Sequence, residues 1–160
     1  MTKNRVAESA QYTILVVDDE ESIRNLVGTL LAKLGHSCIP AADGVDALDR
    51  MKGSKIDAVI TDIKMPNMDG VALTVEILKR YPGLPIMVMT AFGEEYSAGA
   101  AISAGAREFI GKPFSTEAFS FQLQKMINDS ETIKRLRSEK IVDENVQDLM
   151  NELEETLKEN

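Results

Sequence analysis

Val59-Ile60-Thr61-Asp62-Ile63-Lys64-Met65-Pro66-Asn67-Met68-Asp69-Gly70 is an apolar run that ends in an aspartate and then breaks into a turn. Ile56 to Ile60 reads as a short buried strand, which puts Asp62 at its carboxyl end, the edge where open α/β sheets hold their ligands. Pro66 and Asp69-Gly70 are turn residues, and apolar spacing resumes at Val71, Val75 and Leu78, so a helix follows. Strand, acidic loop and helix form one unit. An aspartate before a turn also serves as a helix cap or turn former, so Asp62 gains chemical meaning only from what other strands deliver to the same edge.

The unit repeats along the chain. Thr13 to Val17 is a continuous apolar run of strand length that ends in Asp18-Asp19-Glu20-Glu21. Ile23, Leu26, Val27, Leu30, Leu31 and Leu34 then form one helical stripe that stops at Gly35. His36 to Pro40 is a weaker strand, and Val45, Leu48 and Met51 mark a short helix closed by Gly53. After the Asp62 unit, which ends at Tyr81-Pro82-Gly83, Pro85 to Met89 is a fourth strand that delivers Thr90. Ala91 to Gly105 is an Ala- and Gly-rich helix of poor intrinsic stability, with Gly99 in its middle. Arg107 to Ile110 is a fifth strand, followed by Gly111-Lys112-Pro113 and a helix over Phe114 to Ile127. Five strands alternating with five helices predict a doubly wound α/β fold with a five-stranded parallel sheet covered on both faces.

Composition excludes several functions. The 160 residues, 44% of them hydrophobic, suffice for one domain with a full core and an appendage. A formal net charge of -8 opposes direct nucleic-acid binding, which needs clustered Lys and Arg, and the lack of Trp weakens readings built on stacking. Cys38 is the only cysteine, so an internal disulfide and a CxxC pair are excluded, and beside Ile39 it reads as a packed thiol. His36, also alone, reads as a helix-end or loop residue. No apolar run reaches the ~18 residues of a membrane span and the N-terminus lacks a signal-peptide core, so the sequence points to a cytoplasmic protein without membrane contact. No GxGxxG or GxxxxGK[ST] follows any strand, which argues against a dinucleotide or nucleoside triphosphate binder.

In a parallel sheet every strand ends at one edge, so Asp18, Asp19, Asp62, Thr90 and Lys112 converge. Each has a bland alternative: acidic residues before a helix favour its dipole, a threonine caps a helix, a lysine is solvated. The coincidence of all of them in order carries the functional reading. Three clustered carboxylates repel, raising at least one pKa unless a cation neutralises them, and Mg²⁺ suits hard oxygen ligands and phosphate. Metal, ammonium and hydroxyl together suit a transferring phosphoryl group, with Asp62 as the carboxylate nucleophile.

The segments Leu15-Val-Val-Asp18-Asp19-Glu20, Thr61-Asp62-Ile-Lys-Met-Pro66-Asn-Met-Asp-Gly70, Met89-Thr90-Ala91 and Phe109-Ile-Gly-Lys112-Pro113-Phe114 resemble the receiver domains of two-component response regulators, over Tyr12 to Asn128. The resemblance implies a flavodoxin-like (βα)5 fold in which Asp62 accepts a phosphoryl group from a sensor histidine kinase or phosphotransfer protein. It implies that Asp19 and Asp62 ligate Mg²⁺, with Asp18 acting mainly through water and the Lys64 backbone carbonyl as a further ligand. Lys112 would pair with the phosphoryl oxygens, and Thr90 would move to hydrogen-bond them. Phe109 falls at the aromatic switch position, and the Lys112-Pro113 bond is expected to be cis. The implied readout face, fourth helix, fifth strand and fifth helix, is also a route to a homodimer. Such a domain is a signalling module that catalyses only its own phosphorylation and dephosphorylation. Two other classes compete. A Mg²⁺-dependent phosphohydrolase resembling the haloacid-dehalogenase group would carry a second aspartate where this chain has Lys64, and a degenerate receiver that only binds proteins would not need the intact acidic set.

The sequence therefore divides into a polar, frayed lead at 1–11, a receiver at 12–128 and an acidic helical extension at 129–160. In the extension Val142, Val146, Leu149, Leu153 and Leu157 recur at helical spacing without Pro or Gly. That pattern fits a linker packed on the receiver, or a short coiled coil or partner helix that is a second route to a homodimer.

Overall fold

The structure, a computed structural model, describes residues 11–158, so nearly all of the polar lead lies outside the described residues. Ten elements alternate strictly: β1 (Thr13–Val17), α1 (Glu21–Lys33), β2 (Ser37–Ala41), α2 (Gly44–Gly53), β3 (Ala58–Asp62), α3 (Gly70–Arg80), β4 (Ile86–Thr90), α4 (Glu95–Ala104), β5 (Glu108–Gly111) and α5 (Thr116–Lys158). The strands form one parallel sheet in the order β2-β1-β3-β4-β5. The doubly wound fold expected from the alternation, and flavodoxin-like as the resemblance implies, is the one observed.

Burial explains why the central strands read as unbroken apolar runs. With helices on both faces, every residue of β3 and β4 is buried, and so are four of the five in β1. At the edge, β2 is half-open, and there the weaker apolar pattern of His36 to Pro40 shifts by one residue: the strand is Ser37–Ala41. His36 sits before it, buried, with Nδ1 accepting a hydrogen bond from the Tyr12 N–H at 3.1 Å. Burial lowers the pKa of His36, in keeping with a neutral acceptor ring, and raises that of the half-buried Cys38 thiol.

The buried helix faces differ from the stripes that spacing predicts. In α3 the buried residues are Gly70, Leu73, Thr74 and Ile77, while Val75 is exposed and Val71 and Leu78 only border the core. Leu26, Leu34 and Val45 likewise face outward. Spacing identifies a helix, but which arc it buries depends on how it lies on the sheet. The helix expected over Ala91 to Gly105 starts only at Glu95, because Gly93 takes φ +89 and interrupts the helical backbone. Two expected helices near the C-terminus are one: α5 runs Thr116–Lys158 without a break, no Pro or Gly intervening. The chain divides into two compact units, one ending at Met126 and one beginning at Ile127. In the second unit Val142, Val146, Leu149, Leu153 and Leu157 are all exposed. Among the described residues no helix is long and apolar enough to cross a membrane.

Gly99, in the interior of α4, has open space where a Cβ would stand. Gly99→Ala is expected to stabilise the protein by about 0.5–1 kcal/mol through helix propensity alone, read as a rise in the urea midpoint. A fall would mean that α4 needs the glycine for a reason other than space.

Candidate functional site

β1 and β3 are neighbours in register, Val17 beside Thr61, so the residues that follow them meet at the carboxyl edge of the sheet. Asp62 is the last residue of β3; the structure shifts this strand to Ala58–Asp62 from the expected Ile56 to Ile60 because pairing with β1 begins only at Ala58. Carboxylate oxygens of Asp18, Asp19 and Asp62 lie within 4.8 Å of one another, while Asp18 and Asp62 are buried and Asp19 is exposed. This donor set, three hard oxygen ligands with one open to solvent, fits a small divalent cation such as Mg²⁺.

Lys112 arrives from beyond β5, two strands away from β3. Its Nζ lies 2.9 Å from Asp18 Oδ2 and 3.2 Å from Asp62 Oδ1. The backbone directs it there: the Lys112 N–H donates to the Thr90 carbonyl at 2.6 Å, and the Lys112-Pro113 peptide is cis, as the resemblance implies. Asp18 is fully buried yet satisfied, Oδ1 accepting from the Glu20 N–H at 2.9 Å and Oδ2 from Lys112. Asp62 Oδ1 accepts from the Ile63 N–H at 3.0 Å.

Electrostatics set Asp62 apart. Burial, and then the charge of Asp18, raise its pKa to about 6, although Lys112 and the Ile63 N–H pull the other way. For Lys112, burial lowers the pKa, but the hydrogen bond to Asp18 and the charges of Asp62 and Asp18 outweigh it and the net shift is upward. A carboxylate with an elevated pKa and a fixed ammonium in one cleft is the pattern of a reactive site.

Thr90 closes β4, buried, with Oγ1 3.5 Å from the Ile110 carbonyl, a marginal hydrogen bond. Phe109, on β5, is 53% exposed, and Phe92 is 99% exposed. The cleft over the acidic cluster, about 540 Å³, is lined by Asp19, Glu20, Asp62, Lys64, Ala91, Glu94 and Lys112 among others. Lys64 thus borders the cleft with the other candidates. Sequence reasoning missed two residues. Arg24, in α1, donates from Nη1 to the Asp18 carbonyl at 2.7 Å and so anchors the backbone that carries the first two carboxylates. Glu94, in the cleft wall, had no signal beyond its spacing from Ala91.

The β3–α3 loop is held as tightly as the carboxylates. Gly70 N–H donates to the Ile63 carbonyl at 2.7 Å, Asp69 caps α3 by accepting from the Ala72 N–H at 2.8 Å, and Asn67 takes φ 69, a conformation that asparagine tolerates better than most residues.

Comparison with known proteins shows the family. Residues 14–128 match the family model of the response regulator receiver domain. Among curated relatives, the transcriptional regulatory protein GlrR of Escherichia coli K12 is 37% identical over 105 residues, 66% of this chain and 24% of that protein. The alkaline phosphatase synthesis transcriptional regulatory protein PhoP of Bacillus subtilis is 33% identical over 118 residues, 74% of this chain and 49% of that protein. The chain thus spans between a quarter and a half of these relatives. Among solved structures, NtrX from Brucella abortus superposes with a TM-score of 0.77 at 33% identity, covering 80% of this chain and 29% of that one. A response regulator receiver domain protein from Clostridium thermocellum gives 0.72 at 31% identity, with 76% and 98% covered.

Proposed function

This chain belongs to the response regulator receiver domain family of two-component signalling, and from that premise we propose that it acts by accepting a phosphoryl group on Asp62 from a sensor histidine kinase or phosphotransfer protein. The observation that carries this reading is the pairing of Asp62 with Lys112 at 3.2 Å inside a cluster of three carboxylates. An Asp62 carboxylate oxygen attacks the phosphorus of the donor phosphohistidine, the P–N bond breaks, and the imidazole leaves with its electron pair and takes up a proton. The product is an acyl phosphate on Asp62. Lys112 Nζ, already shared between Asp18 and Asp62, is in reach of the new phosphoryl oxygens and offsets their charge. When bound, Mg²⁺ supplies further charge neutralisation there. Asp19 and Asp62 would hold it directly, the Lys64 backbone carbonyl would add a ligand, and Asp18, with both oxygens engaged by protein donors, would act through water.

Phosphorylation then biases an existing equilibrium between two conformations. Thr90 moves its hydroxyl toward the phosphoryl group, and Phe109 turns inward into the space released. Without a hydroxyl, its two positions differ mainly in burial. The face built by α4, β5 and α5 carries the output or a homodimer contact, and the exposed Val142 to Leu157 stripe is a second route to either. The receiver, taken as 12–128, contacts no nucleic acid in this reading, and the 129–160 extension is an acidic linker or partner helix.

Intact mass after incubation with Mg²⁺ and a small acyl-phosphate donor tests the core of this. A lasting single phosphoryl increment is expected in the wild type and none in Asp62→Asn. Donor hydrolysis over many turnovers with no adduct would instead mark a phosphohydrolase. Neither, with Mg²⁺ binding confirmed, would mark a module that only binds proteins. Phe92 and Lys64, two residues past Thr90 and Asp62, bear on lifetime: a phenyl group offers no hydrogen bond to a hydrolytic water, so slow self-dephosphorylation is expected. A half-life of seconds in Mg²⁺ would contradict it.

A further inference from the structure

The segment between β4 and α4 holds a contact that neither the carboxylate cluster nor the nucleophile uses. Ala91 directly follows Thr90 and lines the same cleft as Asp62 and Lys112, and its N–H donates to Glu94 Oε2 at 2.9 Å. The Glu94 N–H in turn donates to the Ala91 carbonyl at 3.2 Å. Glu94 precedes the first residue of α4, so this reach back over three residues closes the Ala91–Glu94 turn rather than capping the helix, and in an ordinary loop that would be its whole meaning. Here the same residue lines the cleft that holds Asp62, where the phosphoryl group would be built. The Thr90 carbonyl is fixed by the Lys112 N–H at 2.6 Å, but past that peptide the segment has weaker ties. Phe92 and Tyr96 are 99% and 91% exposed, and the Gly93 N–H reaches Glu95 Oε1 only at 3.4 Å.

We propose that Glu94 is an internal stand-in for the phosphoryl group: it occupies the Ala91 N–H and holds the Ala91–Glu94 turn at rest until a phosphoryl group on Asp62 displaces it. This rests on the reading of Asp62 as phosphoacceptor. Two effects push the exchange the same way. A phosphorylated Asp62 carries more negative charge than the bare carboxylate, so it repels Glu94 from the cleft wall. The vacated N–H then meets phosphoryl oxygens, strong charged acceptors that replace the lost bond.

Beryllium fluoride, which forms a stable acyl-phosphate-like adduct on carboxylates, is a suitable probe with Mg²⁺. Its affinity for the full chain and the Ala91 amide resonance would be measured in the wild type, Glu94→Gln, Glu94→Ala and Asp62→Asn. Glu94→Ala is expected to bind about 3- to 10-fold tighter than wild type, the factor for one hydrogen bond that no longer has to be broken. Glu94→Gln, uncharged but still an acceptor, should fall between them, and the Ala91 resonance of the untreated protein should move far more in Glu94→Ala than in Glu94→Gln. Equal tightening in both variants would mean that charge alone matters and overturns the proposal, as would wild-type affinity in both. Uptake that depends on Asp62 but ignores Glu94 overturns this inference only; no uptake by wild type, or equal uptake by Asp62→Asn, overturns the phosphoacceptor reading and this inference with it.

Discussion

Asp62→Asn is expected to make the metal-free protein more stable at pH 7, although it removes the proposed phosphoryl acceptor. Asp62 is buried beside Asp18, and its pKa stands at about 6 against an ordinary 3.8. A group whose folded pKa is raised contributes stability that is fully present below the unfolded value and is lost as pH rises through the folded one. For Asp62 that window runs from about pH 4 to above pH 6. At pH 7 the ionised carboxylate therefore costs the fold up to roughly 3 kcal/mol, from a shift of about two units. Asparagine removes the charge, and its side-chain oxygen can still accept from the Ile63 N–H, while Lys112 keeps its 2.9 Å contact with Asp18. Urea unfolding in a chelator at pH 7 should show a gain of about 1–3 kcal/mol for the variant, shrinking as the pH is lowered toward 4. Added Mg²⁺ should narrow the gap from the other side, since it stabilises the wild type by mass action and finds one ligand fewer in the variant. A variant less stable than wild type in chelator at pH 7 would show that Lys112 needs Asp62 more than Asp62 suffers from Asp18.

Gly70→Ala should have the opposite sign and a larger size. The first residue of α3 lies against the end of β3, and a Cβ there would run into the Asp62 backbone carbonyl and stand 2.9 Å from the Ile63 Cα. Both obstacles are backbone, so no side chain can swing away, and the 2.7 Å bond from the Gly70 N–H to the Ile63 carbonyl must stretch or break. A loss of at least about 3 kcal/mol is expected, in the range of strain and overpacking at buried backbone. The loop between Asp62 and Gly70 includes Lys64, so Mg²⁺ affinity should fall as well, by about tenfold or more if the carbonyl ligand shifts. Urea midpoints and a Mg²⁺ titration monitored by thermal shift would measure both. Unchanged stability would mean that α3 can slide off the strand end at no cost.

The alternation of strands and helices was legible from periodicity alone, because a parallel sheet with both faces covered forces continuous apolar strands and striped helices. β1 has the expected bounds Thr13–Val17, and the sequence by itself assigns Asp18, Asp19, Asp62, Thr90 and Lys112 to strand ends. Chain order could not say which strands are neighbours. Only the order β2-β1-β3-β4-β5 puts Asp18 beside Asp62 and lets Lys112 cross from β5 to bridge them. Tertiary packing likewise decided that Leu73 and Thr74, not Val75, face the core, that Asp18 is buried while Asp19 is open, and that Glu94 reaches back to Ala91. The physical reason is one of range: hydrophobic spacing and turn chemistry act within a few residues and are written in the chain, whereas desolvation and charge coupling at Asp62 arise between residues far apart in sequence that only the folded sheet brings together.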